Sequence, residues 1–241
     1  MAFDISIVVP VFNEEENVLP LAREVAEAMR TDTRSYELVF VDDASTDATW
    51  ARILQAHRKD ARVRGVRHGR NAGQSAALWT GLQVTTSPIV ATLDGDLQND
   101  PADLPKLLAE TEKYEFVCGV RSRRQDNFLR RVSSSVARAA RHWVLGVNFL
   151  DTGCGLRAFK RSALNGVFPF NGLHRFLPIL VHNAGATTRE IPINHRPRVA
   201  GFSKYGLWDR LGRGIFDLFA MAWYQRRRGG HVPFEELGDD R

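Results

Sequence analysis

The chain is expected to fold as an α/β domain around a mostly parallel sheet with helices on both faces. Short apolar runs bounded by turn or charged residues alternate with helix-spaced segments over roughly the first 120 residues, the pattern of repeated βα units. The runs are almost continuously apolar, as strands buried on both faces are. The residues with chemical potential fall just after the runs, at the carboxyl edge where such sheets bind ligands.

Residues 5–11 form the first run, ending in Pro10, Phe12, Asn13 and Glu14, and helical spacing follows over 18–29. No Gly-x-Gly-x-x-Gly turn joins them, which argues against dinucleotide binding and nucleotidyl transfer, both of which use glycines to bring pyrophosphate to the backbone. A second run over 37–42 leads into Asp42-Asp43-Ala44-Ser45-Thr46-Asp47 and a helix over 48–58. Asp42 and Asp43 are placed to hydrogen-bond a base or ribose, while Ser45, Thr46 and Asp47 are expected to close the turn and cap that helix. Runs over 63–66, 89–94 and 115–120 continue the alternation, with helices over 75–84 and 102–113.

The run over 89–94 ends in Asp94-Gly95-Asp96-Leu97-Gln98. Two carboxylates one residue apart, with an amide oxygen two further on, suit a magnesium or manganese ion that shares its shell with a diphosphate. Such a triplet also occurs in solvated loops, so its position at a strand end carries the reading.

The second half is basic. Between 121 and 142 there are seven arginines against Asp126 alone, and between 196 and 228 eight basic residues against Asp209 and Asp217. Charge of this kind faces a nucleic acid, a membrane surface or a phosphorylated substrate. Helical spacing recurs from Phe128 to Trp143 and again from Leu207 to Ala222. In the second stretch Trp208, Phe216, Phe219, Trp223 and Tyr224 surround the apolar stripe, and Arg226, Arg227 and Arg228 follow it. Aromatic bulk beside a basic cluster suits an interfacial helix on anionic lipid. Packing on the domain core is the plainer alternative.

No secretory leader and no run of about 18 apolar residues is visible, so cytoplasmic residence is expected. Cys118 and Cys154 are expected to be buried thiols rather than a disulfide or metal pair. The seven histidines show no ligand spacing.

Taken in order, VVPVFNEEEN, VDDASTDAT, NAGQSAALWTG, LDGDLQNDP, DTGCGLRAFKR and NHRPRVAGFSKY resemble the family 2 glycosyltransferases with the glycosyltransferase A fold. Within these the chain is similar to the polyprenyl-phosphate glycosyltransferases related to dolichol-phosphate mannosyltransferase, from Ile5 to about Tyr205. The resemblance implies a catalytic domain over 1–205; the residues beyond it are expected to form an amphipathic, membrane-surface helix over 206–228, where many relatives append membrane-spanning helices, and a flexible tail over 229–241.

It also implies site residues. Pro10, Phe12 and Glu14 would line the nucleotide pocket, Asp43 would contact the base, and Asp94 would meet the ribose or the metal shell. Asp96 and Gln98 would coordinate Mg2+ or Mn2+. Arg121 is a candidate for the sugar or acceptor phosphate, Arg130 and Arg131 for the lipid phosphate, and Arg198, Ser203 and Lys204 for a loop over the diphosphate. Asp151 matches a position often assigned as a catalytic carboxylate, acting as a base, as an orienting acceptor for a sugar hydroxyl, or as a turn cap. Arg175 is a candidate for sugar or phosphate contact.

The implied reaction is an inverting transfer from a UDP- or GDP-linked sugar to a polyprenyl phosphate, peripherally at the inner face of the cell membrane, with an integral membrane partner to receive the product. A saccharide hydroxyl acceptor would instead require Asp151 as base. From other classes, an inert scaffold is disfavoured by the intact Asp94, Asp96, Gln98, Arg198 and Lys204. A nucleic-acid or other anionic-polymer binder is disfavoured by the lack of any recognisable motif.

Overall fold

The computed structural model describes residues 3–121, 139, 142–197 and 207–227. Seven strands form one sheet: β1 (Ile5–Val11), β2 (Tyr36–Asp42), β3 (Val63–Arg67), β4 (Ile89–Thr92), β5 (Phe116–Arg121), β6 (Arg157–Lys160) and β7 (Thr188–Ile193). Their order is β3-β2-β1-β4-β6-β5-β7. β1 pairs parallel with β2 and β4, β2 with β3, and β5 with β7. β6 runs antiparallel to both of its neighbours. The five expected strands are present; β4 stops at Thr92, which leaves Asp94 in the turn beyond it.

Helices α1 (Val18–Ala28), α2 (Thr49–Lys59) and α4 (Leu104–Glu110) pack on one face with Ile5, Ile7, Val9, Leu38 and Phe40 of the central strands. Helices α3 (Gln74–Val84), α5 (Leu173–Asn183) and α6 (Leu207–Arg227) lie on the other, with Val8, Val39, Val41, Val90, Phe116 and Phe159. Successive β residues point to opposite faces, so a continuous apolar run such as Ile7-Val8-Val9 feeds both clusters. Each of these side chains, at 0% exposure, contributes roughly 1.5–3 kcal/mol by leaving water.

Among the described residues, three non-glycine residues adopt the left-handed region: Asn13 (φ 53°), Ala44 (φ 59°) and Leu97 (φ 58°). Each follows the carboxyl end of a central strand, β1, β2 or β4, so the backbone strain is concentrated along one edge. Of the expected helix over 128–143, residues 142–145 are described and are helical. Cys118 and Cys154 are free and buried. Burial pushes both thiols up, Cys154 to about 12. Among the described residues, no helix is long and apolar enough to cross a membrane.

Helix α3 reaches the sheet through Gly81, where an added Cβ would stand 2.3 Å from Val8 Cγ1 and 3.2 Å from Val41 Cγ2. Gly81→Ala is therefore expected to destabilise the domain by about 1–3 kcal/mol through overpacking, read from urea unfolding midpoints at unchanged slope.

Candidate active site

A cavity of about 740 Å³ opens over the carboxyl ends of β1, β2 and β4 and extends to Arg121 at the end of β5. Pro10, Phe12, Glu14, Asp43, Asp94, Asp96, Arg121, Asp151 and Arg175 all line it. The structure thus brings together nine expected residues from six separate segments. Gln98 lies on the adjoining turn, where its carbonyl accepts the Arg196 backbone N–H at 2.8 Å. Arg130, Arg131, Arg198, Ser203 and Lys204 lie outside the described residues.

At one end, the loops after β1 and β2 are laced together. Ser45 Oγ accepts the Asn13 N–H at 2.9 Å, Asn13 Oδ1 accepts the Thr46 N–H at 2.9 Å, and Thr49 Oγ1 accepts the Glu14 N–H at 2.8 Å. Ser45 is therefore a cross-loop tie rather than a helix cap. Asp47 does take the Thr49 N–H at 2.9 Å, at the start of α2. The Asp43 carboxylate accepts Ala72 N–H at 2.8 Å, Gly73 N–H at 2.7 Å and His68 Nδ1–H at 2.7 Å. It thereby fixes the 71–73 loop, where Gly73 has φ 89°. An anionic acceptor with three fixed donors is a rigid wall for a base or ribose.

In the middle sits the β4 turn. Asp94 Oδ1 accepts Gln74 Nε2–H at 3.0 Å and Oδ2 accepts Asn99 Nδ2–H at 3.1 Å. Asp96 Oδ1 accepts the Gln98 N–H at 3.2 Å. Burial, then the Asp96 charge beside it, push the Asp94 carboxyl above the usual carboxylate range, against the pull of Arg157 and Arg121. Two crowded carboxylates favour a cation between them and the substrate. Among the described residues, no cluster of three or more His, Cys, Asp or Glu side chains could hold a metal ion. The paired carboxylates of Asp94 and Asp96 suit Mg2+ or Mn2+, which take one or two carboxylates and complete their shells with phosphate and water.

At the far end, Arg121 clasps Asp151 with Nε–Oδ2 at 2.6 Å and Nη2–Oδ1 at 2.8 Å. Glu190 on β7 accepts the Leu150 and Asp151 N–H groups at 2.9 and 3.2 Å, orienting the loop that carries Asp151. Arg157, 2% exposed, donates through Nη2 to the carbonyls of Thr152 and His174 at 3.0 and 2.6 Å. Gln74, Asn99, Arg157 and Glu190 were not among the expected site residues, although Gln74, Asn99 and Arg157 lie within motifs noted in the sequence.

The family model for glycosyl transferase family 2 matches residues 6–168. The chain belongs to that family. A dodecaprenyl-phosphate galacturonate synthase from Rhizobium johnstonii is 38% identical over 245 residues, covering 98% of this chain and 72% of the relative. An undecaprenyl-phosphate 4-deoxy-4-formamido-L-arabinose transferase from Pseudomonas fluorescens is 40% identical over 217 residues, 89% of this chain, and the match spans only 63% of the relative's length. Solved glycosyltransferases share the fold. Glucosyl-3-phosphoglycerate synthase from Mycobacterium tuberculosis, in complex with Mn2+, UDP and glucosyl-3-phosphoglycerate, superposes with TM-score 0.66 at 21% identity, covering 93% of this chain and 80% of its own. A mannosyltransferase from Pyrobaculum calidifontis, in complex with GDP-mannose and Mn2+, gives TM-score 0.64 at 21% identity, covering 97% and 66%. The sheet of this family 2 glycosyltransferase, with helices on both faces, is that of the glycosyltransferase A fold.

Gly155 decides where Asp94 sits, because an added Cβ there would stand 2.2 Å from Asp94 Oδ2. Gly155→Ala is expected to weaken Mn2+-dependent binding of a nucleoside diphosphate by about ten-fold or more, as loss of support around a metal ligand does. Isothermal titration calorimetry should show a defect like that of Asp94→Ala, with the circular dichroism spectrum unchanged.

Proposed function

We propose that this glycosyltransferase transfers one sugar from a UDP- or GDP-linked donor to a polyprenyl phosphate, with inversion at the anomeric carbon. The relatives named above act on dodecaprenyl and undecaprenyl phosphates, and the observation that carries the reading to this chain is the state of Asp151. Both of its carboxylate oxygens are engaged by Arg121. With both oxygens committed to the Arg121 guanidinium and Oδ1 also accepting the Gly153 N–H at 3.2 Å, Asp151 is oriented as the partner of Arg121 rather than as a base aimed at an acceptor hydroxyl. A phosphate monoester needs no base, since its second ionisation lies near pH 6 by analogy with phosphorylated side chains. The clasped pair fits an acceptor that arrives as an oxyanion.

The residues of the cavity divide the work by position. Phe12, Glu14 and Asp43 hold the nucleoside over β1 and β2, and Asp43 accepts from the base. A divalent ion bound through Asp94 and Asp96, with Gln98 at the edge of the same turn, would supply charge neutralisation for the departing diphosphate. Arg121 and Arg175 place fixed positive charge where the acceptor phosphate and the sugar meet. Such charge counts most as the leaving group becomes more negative, because the donors are already oriented. Arg130, Arg131, Arg198, Ser203 and Lys204 complete this reading as phosphate contacts.

Access to a lipid substrate is assigned to α6. Met221 and Ala222 are buried against the domain, while Phe216, Phe219 and Trp223 are 74%, 63% and 66% exposed. These three repeat at helical spacing and run toward the exposed Arg226 and Arg227, a face suited to the interface of an anionic bilayer. The reading places the enzyme peripherally at the cytoplasmic face of the membrane, handing its lipid-linked sugar to an integral membrane partner.

A scan of UDP- and GDP-sugars with Mn2+ and a short polyprenyl phosphate is expected to yield one lipid-linked sugar product, lost with chelator and in Asp96→Ala. Asp151→Asn should keep kcat within about ten-fold, whereas removal of a true general base costs about 10²–10⁴. Product on a saccharide hydroxyl and none on the phosphate would reverse the acceptor assignment. In co-sedimentation with phosphatidylglycerol vesicles, the double change Phe219→Ser and Trp223→Ser should lower partitioning by more than about ten-fold, as two lost aromatic contacts predict.

A further inference from the structure

The wall between the first turns of α3 and α5 holds a histidine that the reading above leaves without a role. Ser75, 5% exposed on α3, lies with its Oγ 2.7 Å from His174 Nδ1. The same oxygen accepts the Gly172 N–H at 3.0 Å. That bond forms because Gly172 takes φ 114° immediately before α5, a conformation that side chains disfavour. A serine hydroxyl has one proton. Gly172 N–H can only donate, so among the described residues Nδ1 is the acceptor within reach of the buried hydroxyl's proton; the hydroxyl donates to Nδ1, and the imidazole hydrogen is thereby assigned to Nε2. Burial, with Arg175 and Arg157 nearby, pushes His174 down to about 3, so the ring stays uncharged at working pH.

The place of this ring along the cavity indicates what it meets. Nucleoside contacts lie over β1 and β2, and the Asp94–Asp96 turn follows β4. His174 lines the same cavity, bonded to Ser75 beside Gln74, which bonds Asp94, and its carbonyl shares the Arg157 guanidinium with that of Thr152, the neighbour of Asp151. In a nucleoside diphosphate sugar the group beyond the diphosphate is the pyranose. Phosphate oxygens are already answered by arginine. A fixed, uncharged N–H donor instead suits a hydroxyl or ring oxygen, which has no full charge to neutralise.

We propose that His174, with its tautomer set by Ser75, is the residue that reads the donor sugar, donating Nε2–H to an oxygen of the pyranose. The assignment rests on the transferase reading and extends it to the donor sugar, toward which Arg121 and Arg175 supply charge but no uncharged donor. Ser75 acts through His174 and is a positioning residue. The pair also ties α3 to α5, so a purely structural role is the alternative to be separated.

The test compares affinities for UDP and GDP with those for UDP-galacturonate, UDP-glucose and GDP-mannose, in Mn2+, for the wild type, His174→Leu, His174→Gln and Ser75→Ala. Glutamine carries an amide N–H close to the Nε2 position. His174→Leu is expected to leave nucleoside diphosphate affinity within two-fold and to lower that for the accepted nucleotide sugar about five- to ten-fold, the value of one hydrogen bond. His174→Gln should recover most of the loss, and Ser75→Ala should fall between.

An equal loss for diphosphate and sugar nucleotide, or no loss for either, would overturn the proposal in favour of a helix tie. Should His174→Leu fail to fold, the glutamine and Ser75→Ala variants still decide, since a mere tie predicts no selective effect on the sugar. A pH limb of kcat/KM between 6 and 7 that vanished in His174→Gln would also overturn it, because the ring would then be titrating. Absence of nucleotide-sugar binding in the wild type would remove the transferase reading itself, and this proposal with it.

Discussion

The direction of β6 is the constraint on which the site depends. Six strands present their carboxyl ends to the cavity edge, and β6 alone runs the other way. Its entry, rather than its exit, therefore lies beside the exits of β4 and β5. Thr92 and Cys118 both pair with Arg157 in register, so the residues just before Arg157 are delivered between the Asp94–Asp96 turn and Arg121. That single reversal seats Gly155 against Asp94 and Asp151 against Arg121. A parallel strand in the same slot would carry the 151–155 segment to the opposite edge, parting Asp151 from Arg121 and Gly155 from Asp94.

Around that frame, the acidic groups are immobilised before any substrate arrives. Asp43 is held by two backbone N–H groups, Asp94 by two side-chain amides and Asp151 by a forked guanidinium. The turns that carry this chemistry bear left-handed residues, each costing of the order of 1–3 kcal/mol, and the apolar layers on both faces of the sheet offset that cost. A site ordered in advance spends little of its binding free energy on arranging itself. It can oppose charge as the charge develops rather than reorganise around it.

Much of this was legible in the sequence because it depends on neighbours along the chain. Continuous apolar runs marked β1 to β5, and the strand-end placement of Asp43, Asp94 and Asp96 marked the cavity edge. β6 and β7 escaped because Arg157-Ala158-Phe159-Lys160 and Thr188-Arg189-Glu190-Ile191-Pro192-Ile193 are short and carry charge, so neither shows a clean strand period. The partners escaped for a different reason. Gln74 meets Asp94 across 20 residues, Glu190 meets Leu150 across 40, and Ser75 meets His174 across 99. No local pattern encodes such pairings; they exist only once the sheet order is set. Ser45 was misread as a cap because a serine before a helix usually is one, and the strained Asn13 turn competes for it.

The two faces of the sheet do not share the work equally. Among the described residues, every helical contribution to the cavity comes from α3 and α5, and none from α1, α2 or α4. The first face is thus largely a foundation, touching the site through Val11, Leu93 and the Thr49 tie to Glu14, while the helices of the second must satisfy packing and substrate together. Sequence drift should run fastest where only volume and shape are tested. A designer seeking a hardier enzyme has most of a hydrophobic layer to rework beneath α1, α2 and α4 before touching a residue that the donor can feel.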